Sequence, residues 1–129
     1  MTLLMVYGTL KQGYGNHYIV EDGRFLGKAT TLKPYLLWHS GFPIATHSTQ
    51  IASEIGQEML PVMGEVYEVS DSQLRRCDSL EGHPNWYKRI PVQAKLDSGE
   101  IVEPYIYEQN DYVGRRLCHI VGNKFLWER

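Results

Sequence analysis

Residues 3–16 read LLMVYGTLKQGYGN, and the break at Tyr7 decides how the chain is to be read. Leu3 to Tyr7 is apolar without alternation, the pattern of a short strand covered on both faces. A strand that only has to reverse direction does so in two residues. Here the apolar run gives way to Tyr7-Gly8-Thr9-Leu10 and then to Gly13 and Gly15. A strand ending in such a loop can aim successive backbone N–H groups into one concavity, where they hold an anion. Gly8 allows close approach, Thr9 adds a hydroxyl, and a side chain at Gly8 is expected to fill the concavity. A purely structural turn is the alternative. The nucleotide-binding pattern GxxxxGK[ST] is absent.

Working outward, Asn16 precedes HYIVEDG, which suits a short helical turn capped by Asn16 and stopped at Gly23. RFLGKATT (24–31) and YLLWHSGFPIAT (35–46) read as strands separated at Pro34, and the polar stretch 47–59 as a surface loop. LPVMGEVYEV (60–69) is apolar on both faces, and Gly64 within it signals a bend or a close approach by another backbone. The period then changes. Leu74, Cys77 and Leu80 fall on one helical face, with Ser70 or Asp71 as cap and Gly82 as stop. Residues 87–96 alternate, with Ile90, Val92, Ala94 and Leu96 on one face of a strand. DSGE turns that strand into IVEPYIYE, where Pro104 argues for an edge or a bulge, and 118–129 suits helix or strand. Six or seven strands with one firm helix make an α+β domain with a curled or barrel-like sheet.

The chain's 129 residues suit one domain spanning 1–129, large enough to need no disulfide or metal for stability. A net charge of -2 and the lack of a Lys/Arg run argue against nucleic acid as a partner. Cys77 and Cys118 form no CxxC pair, which fits two free thiols in a reduced, cytoplasmic protein. The opening residues lack a basic leader and are too short to span a bilayer, so no membrane partner is expected. Nine tyrosines point to a β-rich interior or a pocket wall.

Among groups able to carry chemistry, Glu81 stands out. It closes the expected helix, where the negative end of the helix dipole disfavours a carboxylate. It is either a partly desolvated general base or an exposed side chain paired with Arg89 or Lys88. Asp78, three residues earlier, raises a paired-carboxylate glycosidase, but neighbouring acids on a short helix are more often a solvated face. The five histidines show no HExxH or HxH spacing, so no metal site is expected, and GxSxG is absent.

Taken together, VYGTLKQGYGN (6–16), GEVYEV (64–69) and LRRCDSLEGHPNWYKR (74–89) resemble the gamma-glutamylcyclotransferase-like superfamily, most of all its gamma-glutamylamine cyclotransferase branch. The resemblance spans residues 5 to about 107. It implies that the loop of Tyr7, Gly8, Thr9 and Leu10 binds the gamma-glutamyl group of a small substrate. It also implies that Glu81 is the catalytic acid/base, with Asp78, Pro84, Tyr87 and Arg89 around it. The GFP of 41–43 fits family positions, and Tyr105 and Tyr107 are implied pocket residues of which either could face inward. The implied reaction releases 5-oxoproline and a free amine or amino acid, with no metal or cofactor; separately, a monomer is expected rather than an oligomer. A catalytically inactive binding module on the same fold, or a hydrolase using the same glutamate, is the alternative.

Overall fold

The computed structural model describes residues 1–129. Its centre is a seven-stranded sheet in the order β6-β9-β1-β5-β2-β7-β8. The strands are β1 (Thr2–Val6), β2 (Arg24–Thr31), β5 (Met63–Val69), β6 (Lys88–Pro91), β7 (Ala94–Leu96), β8 (Ile101–Val102) and β9 (Tyr105–Glu108). β3 (Leu36–His39) with β4 (Pro43–Thr46), and β10 (His119–Val121) with β11 (Lys124–Leu126), form two separate hairpins. Two helices complete the α+β domain, α1 (Thr49–Ile55) and α2 (Asp71–Glu81).

β1 is central, antiparallel to β5 on one side and parallel to β9 on the other. Both of its faces are covered, which accounts for its unbroken apolar sequence. Met5 enters the cluster built with Val66, Ile106, Phe125 and Trp127. Leu4 and Val6 enter a second cluster with Tyr67, Cys77 and Tyr107, beneath α2. Gly64 marks a close approach, as its position in an apolar run suggested. A β-carbon there would lie 2.4 Å from the carbonyl oxygen of Val6.

The alternating run 87–96 is two strands rather than one. β6 pairs with β9 at one end of the sheet, whereas β7 pairs with β2 and β8 at the other. The ribbon bends where Pro91 and Pro104 remove backbone donors, and the Val92 N–H crosses the bend to the Pro104 carbonyl at 2.8 Å. One bent ribbon thereby joins the two ends of the sheet and curls it into a half-barrel.

Three other expectations change, and one left open is resolved. The 35–46 stretch is a hairpin, reversed around Gly41 in the left-handed region at φ 74. Residues 49–55, expected as loop, form α1, because the Ser48 hydroxyl accepts from the Ile51 N–H at 3.2 Å and Gly56 closes the last turn in the left-handed region. A seven-residue helix with Ala52 as its buried residue leaves little apolar period to read. The turn after Asn16 is a single 3-10 turn, His17–Ile19, and Asn16 does not cap it with its side chain. The tail, open between helix and strand, is a hairpin docked through the Phe125 N–H on the Pro61 carbonyl.

α2 matches expectation. Ser70 and Gln73 form a reciprocal capping box and Gly82 ends the helix at φ 68. Cys77 is fully buried, but Leu80 at the end of the apolar stripe is 43% exposed. No helix is long and apolar enough to cross a membrane.

Candidate active site

A cavity of about 390 Å³ opens where β1 ends and α2 ends. Its lining brings together Tyr7, Gly8, Thr9, Leu10, Glu81, Tyr87 and Tyr107, residues scattered over a hundred positions of sequence. Of the residues expected to bind or act on substrate, Tyr105 lies outside that lining, although it shares a face of β9 with Tyr107. Its ring is covered by the Arg89 guanidinium at 4.8 Å.

The loop after β1 is tied down at several points. Glu65 accepts from the Gln12 N–H at 2.9 Å and from the Tyr67 hydroxyl at 3.0 Å. Asn16 donates its side-chain amide to the Thr9 hydroxyl oxygen at 2.9 Å, and the Asn16 N–H donates to the Thr9 carbonyl at 3.1 Å. The Thr9 hydroxyl proton therefore remains free to donate into the cavity. The N–H groups of Gly8, Thr9 and Leu10 donate to no protein acceptor. Three successive unused donors on one cavity wall make an anion nest chemically competent.

Gly8 has a different reason from the one its sequence suggested. A β-carbon at Gly8 would lie 2.6 Å from Cγ and 3.0 Å from Cδ of Pro43, so a side chain would push against the β4 wall. That wall is fixed by tyrosines. The Tyr87 hydroxyl donates to the Pro43 carbonyl at 2.7 Å, and the Tyr7 hydroxyl donates to the Tyr107 carbonyl at 2.6 Å. Burial pushes both phenols far above their ordinary pKa, so they act as neutral donors.

Glu81 is half-buried at the last turn of α2, and its carboxylate makes no hydrogen bond and no ion pair with the protein. Burial alone raises its pKa from 4.5 to about 7. Pairing with Arg89, one reading from sequence, does not occur. Arg89 instead grips Asp78 through two hydrogen bonds of 2.8 and 3.1 Å, and the Tyr107 hydroxyl donates to the same carboxylate at 2.7 Å. Burial works to raise the Asp78 pKa, but these bonds outweigh it and keep Asp78 below the ordinary carboxylate range. Two carboxylates three residues apart thus have opposite characters, one firmly ionised and one poised near neutrality. Asp78 positions the end of α2 against β6 and β9, and the cation is spent there rather than on Glu81.

Sequence reasoning missed several cavity residues. Asn16 was read as a helix cap, yet its amide orients Thr9. Leu80, placed on the apolar face of the helix by its spacing, lines the cavity. Trp86, 44% exposed, adds an aromatic wall, and Arg129 reaches the rim from the far end of the chain. No local signal marks Arg129, because only the docking of the β10–β11 hairpin brings it there. No group of three or more His, Cys, Asp or Glu side chains gathers in a metal-binding arrangement.

The pattern of the family described as gamma-glutamyl cyclotransferase, AIG2-like, matches residues 4–125. The chain belongs to that family. A Methanocaldococcus jannaschii protein described as a candidate gamma-glutamylcyclotransferase is 35% identical over 108 residues, covering 83% of each chain. The human gamma-glutamylaminecyclotransferase is 35% identical over 101 residues. That alignment covers 74% of this chain and 63% of the human one, so the chain spans less than two-thirds of that relative. The crystal structure of a mouse AIG2-like protein superposes with a TM-score of 0.73 at 30% identity, over 88% of this chain and 80% of the mouse chain. The curled sheet with α2 packed beside β1 is therefore an architecture shared with solved members of the gamma-glutamyl cyclotransferase family.

Proposed function

We propose that this protein is a cyclotransferase that cuts a gamma-glutamyl compound into 5-oxoproline and a free amine or amino acid. The observation that carries this reading is the unpaired, half-buried carboxylate of Glu81 in the same cavity as the unused donors of Gly8, Thr9 and Leu10. Family membership and the names of the relatives point to the same reaction class.

In this mechanism the loop donors hold the α-carboxylate of the gamma-glutamyl group, which places the α-amine near the side-chain carbonyl carbon. Glu81 takes one proton from the α-ammonium. The freed amine attacks the carbonyl carbon, so an N–C bond forms and closes a five-membered ring. The bond from that carbon to the departing nitrogen then breaks. Both protons lost by the ammonium finish on the departing amine, the first by way of Glu81, which returns to its carboxylate form. Because attack is intramolecular, holding the reacting conformer supplies much of the rate.

The test is 5-oxoproline release from a panel of gamma-glutamyl amines and amino acids. Release of glutamate with consumption of water would identify a hydrolase instead. Binding without any product would identify a catalytically silent binding module.

Two expected results follow from the site. The base form of Glu81 is required, so kcat/KM is expected to fall about tenfold per pH unit below about pH 7, the raised pKa of that group. A profile flat down to pH 5 would remove Glu81 as the base. Gly8→Val, forced against Pro43, is expected to cost about 1–3 kcal/mol of stability. It should also raise KM by an order of magnitude through displacement of the loop donors. Thermal melts and substrate titration measure the two effects, and an unchanged KM in the folded variant would overturn the role assigned to the loop.

A further inference from the structure

A second cavity, of about 410 Å³, lies beside the first and shares Gly41 and Arg129 with it. Its other walls include His39, Arg116, His119 and Trp127. We infer that this cavity receives the departing half of the substrate and selects one bearing a carboxylate, recognised by the guanidinium groups of Arg116 and Arg129. The inference rests on the cyclotransferase reading and extends it to the leaving group.

The charge pattern is unusual for this molecule. The whole chain carries a net -2, yet residues 115–129 hold Arg115, Arg116, Lys124 and Arg129 against Glu128 alone. Neither Arg116 nor Arg129 belongs to any of the molecule's ion pairs. Glu128 is the one acidic side chain in a lining that also holds both arginines and both histidines.

The walls are also fixed. The His39 N–H donates to the Arg116 carbonyl and the Cys118 N–H to the Leu37 carbonyl, both at 2.8 Å, so 116–118 runs as an added edge beside β3. The Arg129 guanidinium lies over the Trp127 ring at 5.8 Å. The Trp127 indole N–H donates to Nδ1 of His39 at 2.9 Å. An indole nitrogen only donates, so Nδ1 is the acceptor and the ring proton sits on Nε2. Burial, then Arg116 and His119, hold the His39 pKa below its ordinary value, which keeps it a neutral N–H donor at neutral pH. Two cations and a neutral donor at the exit of a gamma-glutamyl site suit the α-carboxylate of a departing amino acid or peptide. A simple amine offers them nothing.

The deciding experiment compares gamma-glutamyl-alanine with gamma-glutamyl-alaninamide, which differ only by carboxylate against carboxamide. Exposed guanidinium groups each contribute a factor of a few, so wild type is expected to favour the acid by about tenfold in kcat/KM. That preference should shrink as sodium chloride is added. In the Arg116→Gln/Arg129→Gln double variant the acid-over-amide ratio should fall to near unity through KM, with each single variant showing part of the loss. Equal use of acid and amide by wild type, or an intact preference in the double variant, would overturn the inference while leaving the cyclotransferase reading in place. Calorimetric binding of the same two compounds to the Glu81→Gln protein keeps the two failures apart. If no 5-oxoproline forms but the acid binds more tightly, the subsite stands without the reaction. If the two bind equally, or neither binds, the subsite falls.

Discussion

Glu81→Gln is expected to lower 5-oxoproline release by about 10²–10⁴-fold while leaving substrate binding nearly intact, the range for loss of a general acid–base group. The amide keeps the shape of the carboxylate but can neither take the ammonium proton nor return it. The same substitution is expected to stabilise the protein. The folded-state pKa of Glu81 is about 7 against an ordinary 4.5, so between those values the folded chain holds a proton that the unfolded chain has lost. Stability due to this group therefore declines as pH rises through that window. Above it the ionised, unpaired carboxylate burdens the fold by about 3 kcal/mol. Glutamine removes the burden, so the gain in melting temperature should be larger at pH 8 than at pH 5. Near-normal turnover would end the mechanism, and a gain independent of pH would end the account of the raised pKa. A site residue whose removal stabilises the protein while abolishing turnover marks a trade of stability for function.

Gly64→Ala is expected to destabilise the protein severely, by about 3 kcal/mol or more, since overpacking here is relieved only by moving backbone. The added β-carbon would meet the Val6 carbonyl oxygen at 2.4 Å, its carbon at 3.2 Å and Cε of Met5 at 3.1 Å. The methionine tip can move, but the carbonyl belongs to β1 immediately before the site loop. β5 and β1 would have to part where Val6 pairs with Glu65. Gly15, with nothing within 4 Å of its β-carbon position, is the control. Urea denaturation of Gly64→Ala and Gly15→Ala side by side checks this, and a Gly64→Ala midpoint near that of wild type would refute the close approach.

What could be read from the sequence follows from the range of the interactions involved. The α2 boundaries were legible because Ser70, Gln73 and Gly82 act within a single helical turn of the backbone they satisfy. β1 was legible because both faces of one short run are buried. The break in 87–96 was not, because alternation is the same whether a strand continues or bends, and the bend depends on Pro104 across the ribbon from Pro91. α1 was lost for want of an apolar stripe. At the site, Glu81 stood out through its unfavourable place at a helix end, but the absence of a partner could not be read, because it hinges on Arg89 choosing Asp78. Arg129 and Arg116 come to the cavity rim through the docking of the tail on β3 and β5, which no local pattern announces.

The position of β1 between β5 and β9 has a consequence in time. During synthesis Leu3–Val6 emerges well before the strands that flank it, which are encoded at 63–69 and 105–108. Until residue 65 has been made, the first strand has no neighbour in its final register and the loop that follows it has no fixed place. The loop after β1 is therefore made long before β5 and β9 and shaped only once they are in place. In the interval a bare apolar edge is what the nascent chain offers to chaperones and to other copies of itself.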